Sequence, residues 1–274
     1  MKRIIGFLFI FIGILSYGME SANIGVYNTL RLERGKKNYE LMAKGIKNLD
    51  LVGLVEVMNR NGIENLVDSL NKVSKEKWTY HLSPYGVGTG KYKEYYGYVY
   101  KKNKVKLIKP EGFFPDKNDW FIREPYGATF KIDNFDFTLI LCHSIFGKKQ
   151  SQRRAEAFKI DDVYDYFQNK DKNEQDIIIG GDFNLSGRDE AFEQLLNHKD
   201  NIIYTLDPSI KTTIGTKGFA SSYDNIFLSL KYTGEFTGKA GAIDITRGKY
   251  KETRKEVSDH IPIFINVLTG EDDD

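Results

Sequence analysis

Short apolar runs that stop abruptly at an acid, an amide or a histidine recur along almost the whole chain. "SANIGVYN" (21–28) stops at Asn28, "LDLVGLVEV" (49–57) carries Glu56 near its end, "FTLILCH" stops at His143, and "DIIIGGDFN" stops at Asp182 and Asn184. Two later runs start at polar residues: "YDNIF" at Asp224, and "SDHIPIF" at Asp259 and His260. Such short, nearly continuous apolar runs read as buried strands. Stretches of helical period lie between them. "GIENLVDSLNKV" (62–73), for example, repeats apolar residues at 63, 66, 67, 70 and 73. No Pro/Ser-rich linker and no repeat interrupts the series. Two packed sheets covered by helices, in one α/β domain, are therefore expected. With 274 residues the chain can bury a core of that size.

The same reading places further strands near 78–82, 95–101, 104–109, 126–132, 136–142, 221–229 and 260–268. It places helices near 36–48, over 150–167 as one long amphipathic element, and at "RDEAFEQLLN" (188–197). The polar residues at the run ends would project from one rim of the sandwich, so six separate strands can aim them at one cleft.

The N-terminus reads differently. Lys2 and Arg3 precede the apolar run "IIGFLFIFIGIL" (4–15), followed by Ser16 and Gly18 at the positions a signal peptidase reads. Residues 1–18 are expected to be a cleaved export signal, and residues 19–274 a single catalytic domain, secreted or periplasmic and without stable membrane insertion. Losing Lys2 and Arg3 takes the 40 basic residues to 38, level with the 38 acidic ones, so charge alone identifies no polyanionic partner. Cys142 is the only cysteine, which excludes an intramolecular disulfide.

One strand carries an anomaly. In "YKEYYGYVYKK" (92–102), alternation puts Tyr92, Glu94, Tyr96, Tyr98 and Tyr100 on one face. An acid on an aromatic face is costly unless it has a partner or a task. Either Glu94 is an exposed edge-strand acid, or a partner reaches it from elsewhere in the chain.

Taken together, "VE" at 55–56, "GDFN" at 181–184, "YDNI" at 223–226 and "SDH" at 258–260 resemble the endonuclease/exonuclease/phosphatase superfamily. "YKEYY" (92–96), "FIREPYGATF" (121–130), "LCHSIFG" (141–147) followed by "RRAEA", and "TT" (212–213) are similar to the secreted deoxyribonuclease I subgroup. The resemblance spans roughly residues 22–268. It implies a four-layer α/β sandwich with two mainly antiparallel sheets flanked by helices. Departures exist: Val55 stands where the family has Gln, and Met58 where deoxyribonuclease I has a groove-reading Arg, with Arg60 nearby.

Cutting a phosphodiester requires neutralising the phosphate, deprotonating a water and protonating the leaving oxygen. A divalent cation with hard oxygen ligands serves the first task. Glu56 and Asp259 are the candidate ligands, with Asn28 in support; magnesium is expected, with calcium and manganese as alternatives. The resemblance pairs His143 with Glu94 and His260 with Asp224, one pair as acid and the other as base. Asp182 and Asn184 would orient water and phosphate, Arg123 would hold a phosphate oxygen, Tyr92 would pack on a sugar or base, and Thr212 and Thr213 would contact neighbouring phosphates. His81 and His198, which lie in no motif, are expected at the surface.

The expected product is a monomeric endonuclease that cuts DNA with little sequence preference and leaves 5′-phosphates. A sphingomyelinase or phosphoinositide phosphatase is a second reading, which the aromatic segment "GFFPDKNDWF" (112–121) would serve as a membrane hairpin. A catalytically silent nucleic-acid-binding protein is the third. The basic run "TRGKYKETRK" (246–255) reads as a solvated loop or a phosphate-backbone contact.

Overall fold

The computed structural model describes residues 20–272, so the expected export signal lies outside the described residues. From the N-terminus the chain forms β1 (Ser21–Leu32), α1 (Tyr39–Ile46), β2 (Leu51–Val57), α2 (Arg60–Val73), β3 (Trp78–Leu82), β4 (Val87–Thr89) and β5 (Tyr92–Lys101). There follow β6 (Val105–Phe113), β7 (Tyr126–Ile132), β8 (Phe135–His143), α3 (Gln150–Ala157), α4 (Ile160–Gln168) and β9 (Ile177–Asp182). The last elements are α5 (Glu193–Leu196), β10 (Ile202–Tyr204), β11 (Asp224–Ser229), β12 (Phe236–Ala242), α6 (Tyr250–Glu256) and β13 (Ile263–Leu268).

Two mixed sheets result. One has the order β12-β13-β1-β2-β5-β3, with β4 on β5; the other runs β10-β11-β9-β8-β7-β6. Only the β1–β2 and β8–β9 pairs within them are parallel. Strand alternation divides the apolar residues into two sets. Val26, Tyr96, Tyr98, Leu141 and Ile226 pack between the sheets. Tyr27, Leu54 and Val99 face α1 and α2, while Ile140, Ile179 and Phe227 face α3 and α4. The layers are helix, sheet, sheet, helix, as the resemblance implied.

Several local expectations differ. The helix expected over 150–167 is two, α3 and α4, parted by a tightened turn in which the Lys159 N–H bonds the Glu156 carbonyl three residues back. The apolar period runs straight through that turn, so no pattern marks it. Strands β4, β10 and β12 escape sequence reading because they are short or glycine-rich. The basic run contains helix α6, anchored by Thr253 and by Tyr250 edge-on to Phe219. The segment 112–121 is no exposed hairpin: Phe114 and Phe121 are buried, and Lys159 lies 4.1 Å over the Trp120 ring. Among the described residues no helix is long and apolar enough to cross a membrane.

The end of β9 allows no side chain at Gly181, where a Cβ would lie 1.8 Å from the Cys142 carbonyl oxygen on β8. That contact is backbone and cannot swing away. Gly181→Ala is expected to cost about 1–3 kcal/mol or more by forcing β8 and β9 apart, lowering Tm by roughly 3–10 °C. Gly90→Ala, at an open position, is the comparison and should leave melting unchanged.

Candidate active site

Register brings the polar residues together. In the second sheet His143 pairs with Asp182, and Asp182 with Asp224, so the three stand side by side at the ends of β8, β9 and β11. In the first sheet the β2–β5 ladder slips between Leu54 and Val57. Glu56 lies in that slip with φ 61°, a left-handed conformation that re-aims its carboxylate. Asn184 also adopts φ 54° in the turn after β9, where its backbone N–H donates to Asp182 Oδ1 at 2.9 Å. Glu56, His143, Asp182 and Asn184 line a cleft of about 600 Å³.

Glu94 is fully buried, not an exposed edge acid. His143 Nδ1 lies 2.5 Å from Glu94 Oε1, and Arg123 Nε lies 3.1 Å from Glu94 Oε2 as an ion pair rather than an aligned hydrogen bond. Arg123 also donates to the His143 carbonyl at 3.1 Å. The second pair matches the first, with His260 Nδ1 2.7 Å from Asp224 Oδ2. The Nε2 atoms of both rings then converge on Asp182 Oδ2, at 3.8 Å from His143 and 3.5 Å from His260.

Burial by itself would lower the His260 pKa, but Asp224 and Asp182 raise it to about 10. His143 is raised too: burial and Arg123 act to lower it and are outweighed by Glu94 and Glu56. Burial acts to raise Glu94, yet His143 and Arg123 bring it below its usual range. Asp182 is raised, chiefly by burial. His260 therefore holds its proton well above neutral pH, and His143 holds its proton to a higher pH than a free imidazole does.

The remaining expected residues fall into two groups. Tyr92, Asn184, Thr213 and Asp259 line the cleft. The Tyr92 hydroxyl donates to Glu56 Oε2 at 3.1 Å, so it holds a carboxylate as well as presenting its ring. Thr212 is a correction: it is fully buried and cannot reach a phosphate. Its hydroxyl instead accepts from the backbone N–H groups of Tyr223 and Asp224, fixing the start of β11. Asn28 is corrected in part: its Oδ1 accepts from Leu30 N, and it is its Nδ2 that faces the carboxylates, bridging Glu56 Oε1 (3.2 Å) and Asp182 Oδ2 (3.0 Å). His198 is not at the surface; it lies between Asp165 and Asp200, and His81 is half-buried against the Tyr126 hydroxyl. Arg60 donates to the Tyr80 hydroxyl.

Three neighbours had no role assigned from the sequence. Lys37 donates to the carbonyls of Thr29, Leu30 and Val257. Burial lowers its pKa to about 8, opposed by Glu56 and Asp259. Arg254, on α6, sits 3.5 Å from Asp259. Glu156 is buried on α3 and accepts from Ile122 N (2.9 Å) and Ile145 N (2.7 Å), tying the loops that follow from β6 and β8 to one helix. Glu156 lies in "RRAEA" and Arg254 in the basic run, but neither stretch tells what they touch; Lys37 and Glu156 act through backbone groups distant in sequence.

For a cation, Asp182, Asp224 and His260 place ligand atoms within 4.8 Å of one another. Their hydrogen bonds and the proton on His260 already occupy that set. Glu56 and Asp259 supply further hard oxygen donors at the cleft wall and retain 13% and 24% side-chain exposure.

No family model matches the chain. A deoxyribonuclease of Thioalkalivibrio sp. (strain K90mix) is 25% identical over 243 residues, covering 84% of this chain and 66% of that protein. Deoxyribonuclease-1-like 1 of Sus scrofa is 24% identical over 268 residues, covering 93% and 83%. An endonuclease/exonuclease/phosphatase family protein from Bacteroides thetaiotaomicron superposes with a TM-score of 0.62 at 15% identity, over 92% of this chain and 99% of that one. The chain is therefore similar in sequence to deoxyribonucleases and in fold to an endonuclease/exonuclease/phosphatase family protein, which supports a phosphodiesterase.

Glu156→Leu removes the acceptor of two loop N–H groups at nearly constant volume. Each N–H left without a partner costs about 1–3 kcal/mol. Faster hydrogen exchange at the Ile122 and Ile145 amides, with β1 and β13 amides unchanged, is the expected outcome.

Proposed function

We propose that the protein is an exported, divalent-metal-dependent endonuclease that hydrolyses DNA with little sequence preference and leaves 5′-phosphate ends. The observation that carries this reading is the convergence of two buried His–carboxylate pairs on one face of Asp182, beside Glu56 and Asp259. Two relatives named as deoxyribonucleases support the choice of substrate. The export signal expected at residues 1–18 supports the location. The burial of Phe114 and Phe121 removes the feature that favoured a lipid substrate.

In the mechanism we assign, the scissile phosphate enters the cleft facing the two Nε2 atoms. A divalent cation held by Glu56 and Asp259, magnesium in our reading, would supply positive charge to the phosphate oxygens. His260, oriented by Asp224, takes the proton of the attacking water once its own proton has gone to solvent. Asp224 and Asp182 chiefly hold that proton, with Asp259 a lesser contributor. Asp182, fixed by Asn28 and the Asn184 N–H, aligns the water. His143, oriented by Glu94, delivers its proton to the leaving 3′-oxygen. Arg123 holds Glu94 in place while it lines the cleft, so its contact with phosphate is through whatever part of the guanidinium Glu94 leaves free.

Stripped of metal and held in excess EDTA, the protein should stop nicking supercoiled plasmid and recover when magnesium is restored. Unchanged nicking would remove the cation from the mechanism. RNA and sphingomyelin offered in parallel test the substrate class.

The Glu94–His143 unit gives a sharper test. His143→Ala should lose roughly 10²–10⁴-fold in kcat, the contribution of positioned acid–base catalysis. Glu94→Gln should lose a large part of that, and the double variant should be little worse than His143→Ala alone. Because Glu94 raises the His143 pKa, the acid stays protonated to higher pH than a free imidazole, and activity falls as pH rises through the raised value. Glu94→Gln should move that alkaline limb to lower pH. Additive losses with an unmoved limb would make Glu94 a bystander.

A further inference from the structure

A large apolar ring stands exposed at the wall of the cleft. Phe146 is 58% exposed, although it follows the buried His143 by only three residues. Its loop is held firmly. Ile145 N donates to Glu156 Oε2 at 2.7 Å, Arg153 Nε donates to the Phe146 carbonyl at 2.6 Å, and the N–H groups of Lys148 and Lys149 both donate to Gln152 Oε1. Gly147 allows the turn with φ 61°. The Arg153 guanidinium lies 4.0 Å from the Phe146 ring centroid and covers one face. Arg153 is fixed in turn by the Asn184 carbonyl (3.4 Å) and the Tyr223 hydroxyl (3.3 Å), so the ring is braced from the turn that carries Asp182.

Holding an apolar ring rigid in water gains nothing for the fold. Its remaining face is pre-ordered for a flat ligand, and the cation behind it strengthens stacking. The loop continues into Lys148 and Lys149, both exposed. An aromatic plate followed by two cations matches what a single nucleic-acid strand offers, a base and then phosphates. Bases inside a duplex are already stacked on both faces and offer no free face to such a plate.

Resting on the nuclease reading above, we propose that Phe146, braced by Arg153, is a stacking platform for an unpaired nucleobase next to the scissile phosphate. The chain then favours single-stranded or locally unpaired DNA over intact duplex. Phe146 acts here as a specificity-determining residue and takes no part in proton transfer.

The test uses one sequence in two forms, a single strand and a closed hairpin duplex, with the mature protein and its Phe146→Ala and Phe146→Tyr variants. The single strand should lose about 10-fold in kcat/KM in Phe146→Ala, the size of one lost base–aromatic stack. The duplex should lose much less, and Phe146→Tyr should keep the preference. Equal losses on both forms, or none on either, would overturn the proposal. A binding arm in EDTA, without turnover, uses a single-stranded oligonucleotide carrying 2-aminopurine. Quenching of its fluorescence by wild type and by Phe146→Tyr, weakened in Phe146→Ala, supports the platform even where no DNA is cut. Quenching that is absent in wild type, or equal in all three proteins, overturns it. Loss of DNA cleavage alone sinks the nuclease reading and leaves the binding arm to decide the platform.

Discussion

The buried charge of Glu94 is the interaction on which the site depends. A carboxylate with no solvent contact costs several kcal/mol unless it is matched, on the order of the penalty for any buried ion. Glu94 belongs to β5 in the first sheet, and its partner His143 belongs to β8 in the second. The pair can form only when the two sheets face each other in the correct register. His260 and Asp224 repeat the arrangement, since His260 leads into β13 of the first sheet and Asp224 starts β11 of the second. Asn28 makes a third link, from β1 to Asp182 on β9. Three polar contacts thus cross the interface at one rim, while tyrosines and aliphatic residues fill the rest of it.

Backbone strain collects at the same rim. Leu30, Arg31, Glu56 and Asn184 all adopt positive φ without being glycine. Each such residue costs of order 1–3 kcal/mol and persists only where its surroundings overdetermine it. Here the surroundings are visible: Arg31 N and the Tyr92 hydroxyl hold Glu56, and the Asp182 carboxylate holds Asn184 N. The sheet core stabilises a rim that would not hold its shape alone.

The strand ends were legible because two periodicities coincide there. An apolar run marks a strand buried on both faces, and the first polar residue after it marks the rim. That logic singles out Glu56, His143, Asp182, Asp224 and His260 from the sequence. It could not locate Lys37, Glu156 or Phe146, whose placement depends on backbone carbonyls, loop amides and a guanidinium from other parts of the chain. Thr212 shows the opposite failure. Its motif neighbours are at the cleft, but its own hydroxyl turns inward to the backbone of Asp224.

The sequence by itself determined the class of fold, the candidate acids and histidines, and the need for Glu94 to find a partner. These follow from local pattern and from the cost of burying charge, which hold whatever the tertiary arrangement. Only the tertiary structure decided that Arg123 shares Glu94 with His143, that Asn28 bridges two carboxylates, and which side chains face the cleft. Those outcomes turn on distances between strands far apart in the chain, and a hydrogen bond is made or lost within about half an ångström.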